Sequence, residues 1–239
     1  MLSIIIPALN EEKYLGLLLE CIKNQGYKDY EIIVADAGSK DKTVEIAKKY
    51  GCKVVPGGLP GKGRNEGTRV AKGDLLLFLD ADCILPDDFL NIALKEFYEK
   101  KFDFASFGLL PYNSDKAHTM AFNVFYNWYI YALGKTLPHA AMGIMAKKDL
   151  FMELNGFDET ITLAEDMDLA RRAQKIASFG IIRSVKIFIS DRRFKKDGWV
   201  KTALKYLFCE WYMIFLGPVK SDIFKYKFGH YENKNKKNV

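Results

Sequence analysis

Blocks of apolar positions alternate with amphipathic ones through the first hundred residues. Residues 2–6, 31–35, 53–55 and 75–79 are short apolar runs ended by Pro or Asp, the pattern of strands buried in a parallel sheet. Between them the period lengthens. Tyr14, Leu15, Leu18, Leu19 and Ile22 fall on one helical face, and Val44, Ile46 and Ala47 begin a second helix that Gly51 ends. Regular alternation of this kind predicts an α/β fold, a Rossmann-like and mostly parallel sheet flanked by helices.

After residue 100 the pattern is mixed. A strand is expected at 102–108, an aromatic-rich stretch covers 122–133, a short apolar run covers 143–146, a helix is expected from 165 to 177 and a strand over 181–189. No repeat of fixed period is visible. Residues 203–216 are apolar and aromatic but contain Lys205 and Glu210 and end at Gly217-Pro218, too short and too charged to span a bilayer. They predict a surface helix, followed by a polar tail from Asn233. The expected organisation is one domain over 1–190, with halves 1–100 and 101–190, and a basic, aromatic C-terminal extension over 191–239.

Composition narrows the class. The 239 residues suffice for one full core, and 49% hydrophobic with 28% charged residues excludes both a disordered chain and a polytopic membrane protein. The net charge of +6 is unevenly spread: residues 183–239 hold 14 Lys/Arg against 5 Asp/Glu, leaving the first 182 residues slightly acidic. An anionic surface is therefore the partner expected for the C-terminal quarter, with a solvated tail the bland alternative. Cys21, Cys52, Cys83 and Cys209 form no C-x-x-C, and His118, His139 and His230 are scattered, so no disulfide framework, zinc site or catalytic triad is expected. The opening Met-Leu-Ser-Ile-Ile-Ile-Pro lacks a signal peptide's charged region and reads as a first strand. A cytoplasmic setting is the expectation.

Chemistry concentrates where the strands end. The apolar run 75–79 leads directly into Asp80-Ala81-Asp82, which sets two carboxylates at the carboxyl edge of the sheet, where open α/β folds bind ligands. Two acids on one side of an extended segment suit a hard divalent cation; a polar strand end is the structural alternative. Three more loops are expected at the same edge. They are Pro7-Ala8-Leu9-Asn10-Glu11-Glu12, the stretch from Ala35-Asp36 to Thr43, and Gly57-Gly58-Leu59-Pro60-Gly61-Lys62-Gly63-Arg64-Asn65-Glu66-Gly67, a glycine-rich loop before a helix, with two cations that suit a diphosphate.

These four loops together, in this order and spacing, resemble the nucleotide-sugar-binding half of the family 2 glycosyltransferases, which have the GT-A fold. Gly156-Phe157-Asp158-Glu159 and the run from Leu163 to Arg172 extend the resemblance to about residue 190. The resemblance implies a GT-A catalytic domain over 1–190 and a single displacement with inversion, from a nucleoside diphosphate sugar with a divalent cation, Mg or Mn. It also implies that Asp36 contacts the base, Asp82 ligates the metal, Asp80 lies beside the ribose and at the metal, and Asp166 is the base, with Glu165 beside it. Pro7, Asn10, Glu11, Lys62 and Arg64 complete the donor side. Where the family often has two consecutive acids this chain has Asp36-Ala37, which leaves the nucleotide open between uridine and guanosine.

The residues of 163–176 carry their own reading. Leu169, Ala173 and Ile176 make the buried stripe of a helix whose first turn holds Glu165, Asp166 and Asp168, acids that a helix dipole favours whether or not one is a base. Arg192 and Arg193, after the last strand, suit a phosphate of the donor or acceptor, or form a solvated turn. Trp199, Tyr206, Phe208, Trp211, Tyr212 and Phe215, mixed with Lys201 and Lys205, suit a membrane interface, while core packing or a homodimer contact explains the aromatics equally well. The leading expectation is a metal-dependent glycosyltransferase at the inner face of a membrane with a lipid-linked acceptor and no nucleic-acid partner. A sugar-phosphate nucleotidyltransferase or a non-catalytic nucleotide-sugar-binding protein are the alternatives.

Overall fold

The computed structural model describes residues 1–112, 114–134 and 136–220. The expected tail from Asn233 and His230 lie outside the described residues. The first half alternates as its periodicity predicts: β1 (Leu2–Ala8), α1 (Leu15–Lys23), β2 (Tyr30–Asp36), α2 (Thr43–Lys49), β3 (Lys53–Pro56), α3 (Pro60–Val70) and β4 (Leu75–Leu79). All four strands run parallel, in the order β3-β2-β1-β4. The order reverses between β1 and β4, so the loops leaving their carboxyl ends diverge and open a crevice.

The second half completes the sheet as β4-β7-β6-β8-β5, with β5 (Cys83–Ile84), β6 (Phe104–Tyr112), β7 (Gly143–Lys147) and β8 (Phe179–Ser190). Here β7 is antiparallel to β4 and β6, and β8 is parallel to β6, so this half is mixed. Helix α4 (Phe89–Glu99) follows β5. Residues 116–133 form one helical rod, α5 (Lys116–Phe122) and α6 (Trp128–Leu133) joined by a π-helical turn at Asn123–Asn127. That turn aims the buried Asn127 at β6, where its amide exchanges two hydrogen bonds with the Leu109 backbone at 2.9 and 2.7 Å, next to the register shift at Phe107/Gly108. Strand β6 starts two residues later than expected and runs to Tyr112.

Two apolar layers sandwich the sheet. Leu2, Ile4 and Ile6 pack with Leu15, Leu18, Leu19 and Ile22 on one face, while Ile5, Leu76 and Phe78 pack with Phe151, Phe157 and Leu169 on the other. Of the glycines in the expected loop only Gly57 and Gly58 lie outside a helix: α3 begins at Pro60 and contains Gly61, Gly63 and Gly67. A Cβ on Gly67 would stand 2.5 Å from Ile5 Cγ2, and one on Gly63 would stand 3.2 Å from Pro7 Cβ. Their smallness lets the α3 backbone lie directly on β1.

The described part of the C-terminal segment folds back on the domain. Helices α7 (Lys148–Glu153) and α8 (Glu165–Gln174) precede β8, and α9 (Arg192–Asp197) and α10 (Trp199–Phe215) follow it. Phe194, Trp199 and Tyr206 join the larger core, and Cys209, Met213 and Val219 pack on Met167 of α8. Leu169 and Ala173 are buried as expected, but Ile176 is 55% exposed, because α8 ends at Gln174 before its stripe reaches that residue. Among the described residues no helix is long and apolar enough to cross a membrane.

Candidate active site

The crevice at the carboxyl ends of β1 and β4 gathers an unusual density of charge. Strand β4 stops at Leu79, and Asp80-Ala81-Asp82 form a turn closed by a Cys83 N–H donating to the Asp80 carbonyl at 3.2 Å. The two carboxylates are therefore carried by a turn rather than by the expected extended segment. Each meets a guanidinium. Arg64 donates to Asp80 Oδ1 at 2.7 Å, and Arg192 Nε lies 3.2 Å from Asp82 Oδ2.

Arg64 departs from its expected role. Instead of facing a diphosphate from a loop, it projects from α3 into the interior, where it is 4% exposed. Its other arm donates to Glu165 Oε1 at 2.6 Å, and its carbon centre stands 5.3 Å from the Phe157 ring centroid. One cation thus ties the D-x-D turn to the first turn of α8. Glu165 is committed to this pair and is buried with it. Lys62, two residues earlier and so on the opposite face of α3, is exposed, with its aliphatic stem against Gly58.

Arg192 does the same from the far end of the chain. It forks to both oxygens of Glu11 at 3.0 and 2.6 Å and stacks over Tyr14 at 4.8 Å. Burial raises the Glu11 carboxyl to about 6, against the lowering pull of Arg192. The Asp82 carboxyl is also raised, by burial first, with Arg192 opposing. Arg193 donates to Tyr206 Oη at 2.7 Å, which brings α10 to the same crevice. The paired arginines follow β8 as expected, but they are not a solvated turn: they open α9, and their side chains are paired with Glu11, Asp82 and Tyr206.

Asp166 follows Ala164, an alanine held in the left-handed region at φ 62°. Its Oδ1 accepts from the Met167 amide at 2.8 Å. Burial pushes its carboxyl up to about 8; Glu165 and Asp80 add to the rise, and Arg64 opposes it. Asn10 is left-handed too, and its loop is zipped to the next one. Asn10 N donates to Ser39 Oγ at 2.9 Å, Lys40 N donates to Asn10 Oδ1 at 2.7 Å, and Glu11 N donates to Thr43 Oγ1 at 2.7 Å. The Asp36 carboxylate receives the Gly38 and Ser39 amides, which fixes it at the mouth of this double loop. Pro7 lies in β1 beneath Gly63.

A polar cluster beside Asp166 escaped the sequence reading. Tyr126 Oη lies 3.0 Å from His139 Nε2, His139 Nδ1 lies 3.6 Å from Glu210 Oε1, and Tyr129 donates to that same oxygen at 2.6 Å. Glu210 lies 81 residues beyond Tyr129, and a lone histidine whose carboxylate partner is that far away carries no recognisable pattern. The aromatic stretch divides likewise: Trp199 and Tyr206 face inward, whereas Phe208, Trp211 and Phe215 are exposed.

Comparison with known proteins agrees with this architecture. Residues 3–146 match the model of glycosyl transferase family 2, and the chain belongs to that family. It is 34% identical over 99 residues to the poly(ribitol-phosphate) β-N-acetylglucosaminyltransferase TarS of Staphylococcus aureus, over 37% of this chain and 16% of TarS. It is 28% identical over 196 residues to chondroitin synthase of Escherichia coli, over 77% of this chain and 28% of that protein. The chain thus spans under a third of the length of either relative. Among solved structures, S. aureus TarS 1-349 with UDP-GlcNAc superposes with a TM-score of 0.65 at 23% identity, covering 79% of this chain and 58% of that one. The mannosyltransferase PcManGT from Pyrobaculum calidifontis, with GDP-Man and Mn2+, gives 0.66 at 21% identity over 86% and 64%. The expected GT-A fold is the fold found.

Proposed function

We propose that the chain is a metal-dependent, inverting glycosyltransferase, moving a sugar from a nucleoside diphosphate to a hydroxyl on a lipid-linked acceptor at the cytoplasmic face of a membrane. The observation that carries this reading is the meeting of Glu11, Asp80, Asp82 and Asp166 with two guanidiniums at the reversal point of the strand order. Family membership and the nucleotide sugars named for the two solved neighbours support it. A nucleotidyltransferase finds no such support.

The donor set suits Mg or Mn: Asp80 and Asp82 offer hard carboxylate oxygens, and among the described residues no third His, Cys, Asp or Glu joins them in a cluster. Two carboxylates with diphosphate oxygens and waters completing the shell is how such ions are ordinarily held. A cation held by Asp80 and Asp82 would supply Lewis-acid stabilisation of the departing diphosphate. The chain's own groups do the rest. Asp36 and the zipped loops 10–12 and 38–43 hold the nucleoside. Asp166 accepts the proton of the acceptor hydroxyl as its oxygen bonds to the anomeric carbon and the bond from that carbon to the phosphate oxygen breaks. Lys62, Arg192 and Arg193 take up charge on the diphosphate. No protein nucleophile is required.

Thermal-shift measurements with UDP- and GDP-sugars, with and without manganese, test the donor and the metal together, since a ligand of the folded state raises its melting temperature. A chain stabilised by none of them refutes the reading. Donor bound without hydrolysis or transfer to any acceptor would point to a non-catalytic binding protein instead.

A further inference from the structure

Two helices on the acceptor side expose apolar surface that the fold does not use. On the rod 116–133, Phe125 is 76% and Trp128 68% exposed; on α10, Val200, Leu204, Trp211 and Phe215 are all at least 50% exposed and recur along one face. The helices are neighbours. His118 stacks on Trp199 with centroids 4.3 Å apart, and Tyr129 bonds to Glu210, so the inward faces are joined and the outward faces make one surface. Charge on it is predominantly positive. The rod contains no acidic residue, and the only acid of α10, Glu210, is buried in the polar cluster. Lys116 on the rod, Lys201 on α10 and Lys195 and Lys196 on the preceding α9 are exposed; so are Asp115 at the start of the rod and Asp197 at the end of α9, and Lys195 pairs with Asp191 at 2.9 Å.

We infer that this two-helix face is a docking platform for an anionic lipid bilayer, lying flat with Trp128, Phe125 and the α10 stripe in the interface and the lysines at the head groups. Aromatic and aliphatic side chains beside a surplus of cations, with exposed acids only at the ends of the helices, are the composition that such a surface binds. A second copy of the chain would bring the same cation-rich patch against itself, since a two-fold contact uses one surface on both partners. The opposite face of α10 carries Tyr206, which holds Arg193 at the crevice, so the bilayer would lie about one helix diameter, roughly 10 Å, from the site. The purpose of the contact rests on the lipid-borne acceptor proposed above; its geometry does not.

The test is sedimentation of the full chain with vesicles of phosphatidylcholine, with and without phosphatidylglycerol, at low and high salt. The parent should bind the anionic vesicles at low salt and lose affinity as salt screens the lysines. Trp128→Glu and Trp211→Glu should each weaken binding at least ten-fold while leaving the thermal midpoint unchanged, since both side chains are already exposed. No binding by the parent overturns the platform. Parental binding by Trp128→Glu overturns it as well, confining the contact to α10. A dimer in analytical ultracentrifugation that Trp211→Glu dissociates, with no vesicle binding, assigns the face to a second copy. If Trp128→Glu fails to fold, quenching by brominated lipid of Trp128 and Trp211 in a Trp199→Phe chain decides the matter, and absence of quenching overturns it. Calorimetry of UDP and GDP on the same samples separates the two proposals: donor binding without vesicle binding defeats only the platform, and vesicle binding without donor binding defeats only the transferase.

Discussion

Replacing Arg64 by alanine should unfold the site from within. The guanidinium is 4% exposed and is shared between Glu165, whose side chain is 10% exposed, and Asp80, at 29%. Its loss strands one carboxylate almost wholly out of water and a second partly so. Breaking a buried pair by removing one partner costs about 3–5 kcal/mol. Asp80 can recover some hydration, so most of the loss falls on Glu165. At about 2–4 °C per kcal/mol for a chain of this length, the melting temperature should fall by roughly 6–20 °C. Arg64→Lys should fall between parent and alanine, because one ammonium cannot fork to both acids. Neutralising the stranded partners, as Arg64→Met with Glu165→Gln and Asp80→Asn, should restore most of the loss. Urea denaturation of parent, Arg64→Ala and the triple variant at neutral pH is the assay. A loss below about 1 kcal/mol, coupled to weakened nucleotide binding, would refute the structural role and return Arg64 to the diphosphate.

Three further outcomes are expected. Asp82→Asn should weaken UDP or GDP binding and remove its dependence on manganese; calorimetric titration reads both, and unchanged affinity would remove Asp82 from the metal site. Asp166→Asn should keep donor affinity within a few-fold and lower turnover by about two orders of magnitude or more. The Asp166 carboxyl is raised from an ordinary 3.8 to about 8, so parental turnover should climb as pH rises through that region, and the variant should lose the climb. The same shift favours the protonated folded state: its stabilisation is complete below the unfolded value and is lost as pH rises to about 8. Asp166→Asn should therefore gain stability relative to the parent in alkaline buffer, and urea curves across pH would expose a contrary slope. Gly67→Ala brings a methyl to 2.5 Å from Ile5 Cγ2 and should cost about 1–3 kcal/mol despite alanine's better helix propensity. Undiminished urea resistance would mean that α3 can move off β1.

What the sequence determined by itself was local and periodic. The run Leu75–Leu79 can only be a buried strand, and Leu15, Leu18, Leu19 and Ile22 can only face a core, because burial of apolar side chains dictates both. The four parallel strands of the first half were therefore legible to within two residues at each end, and the ends of these strands pointed to Asp80 and Asp82. The partners of those acids were not legible. Arg64 and Glu165 are 101 residues apart and Arg192 and Glu11 181 apart, and nothing in either neighbourhood marks one as the other's counter-ion. Their pairing follows from a sheet order that inserts β7, β6 and β8 beyond β4, which brings α8 and α9 over the crevice. The same holds for His139 and Glu210, and for which aromatics of α10 turn inward. Tertiary structure also moved the glycines of 61–67 out of a loop and into a helix, since close approach to β1, rather than turn formation, is what requires them. Short-range order obeys side-chain periodicity, whereas a buried charge must find its opposite wherever the fold delivers it, because leaving it unpaired out of water costs more than any local preference supplies.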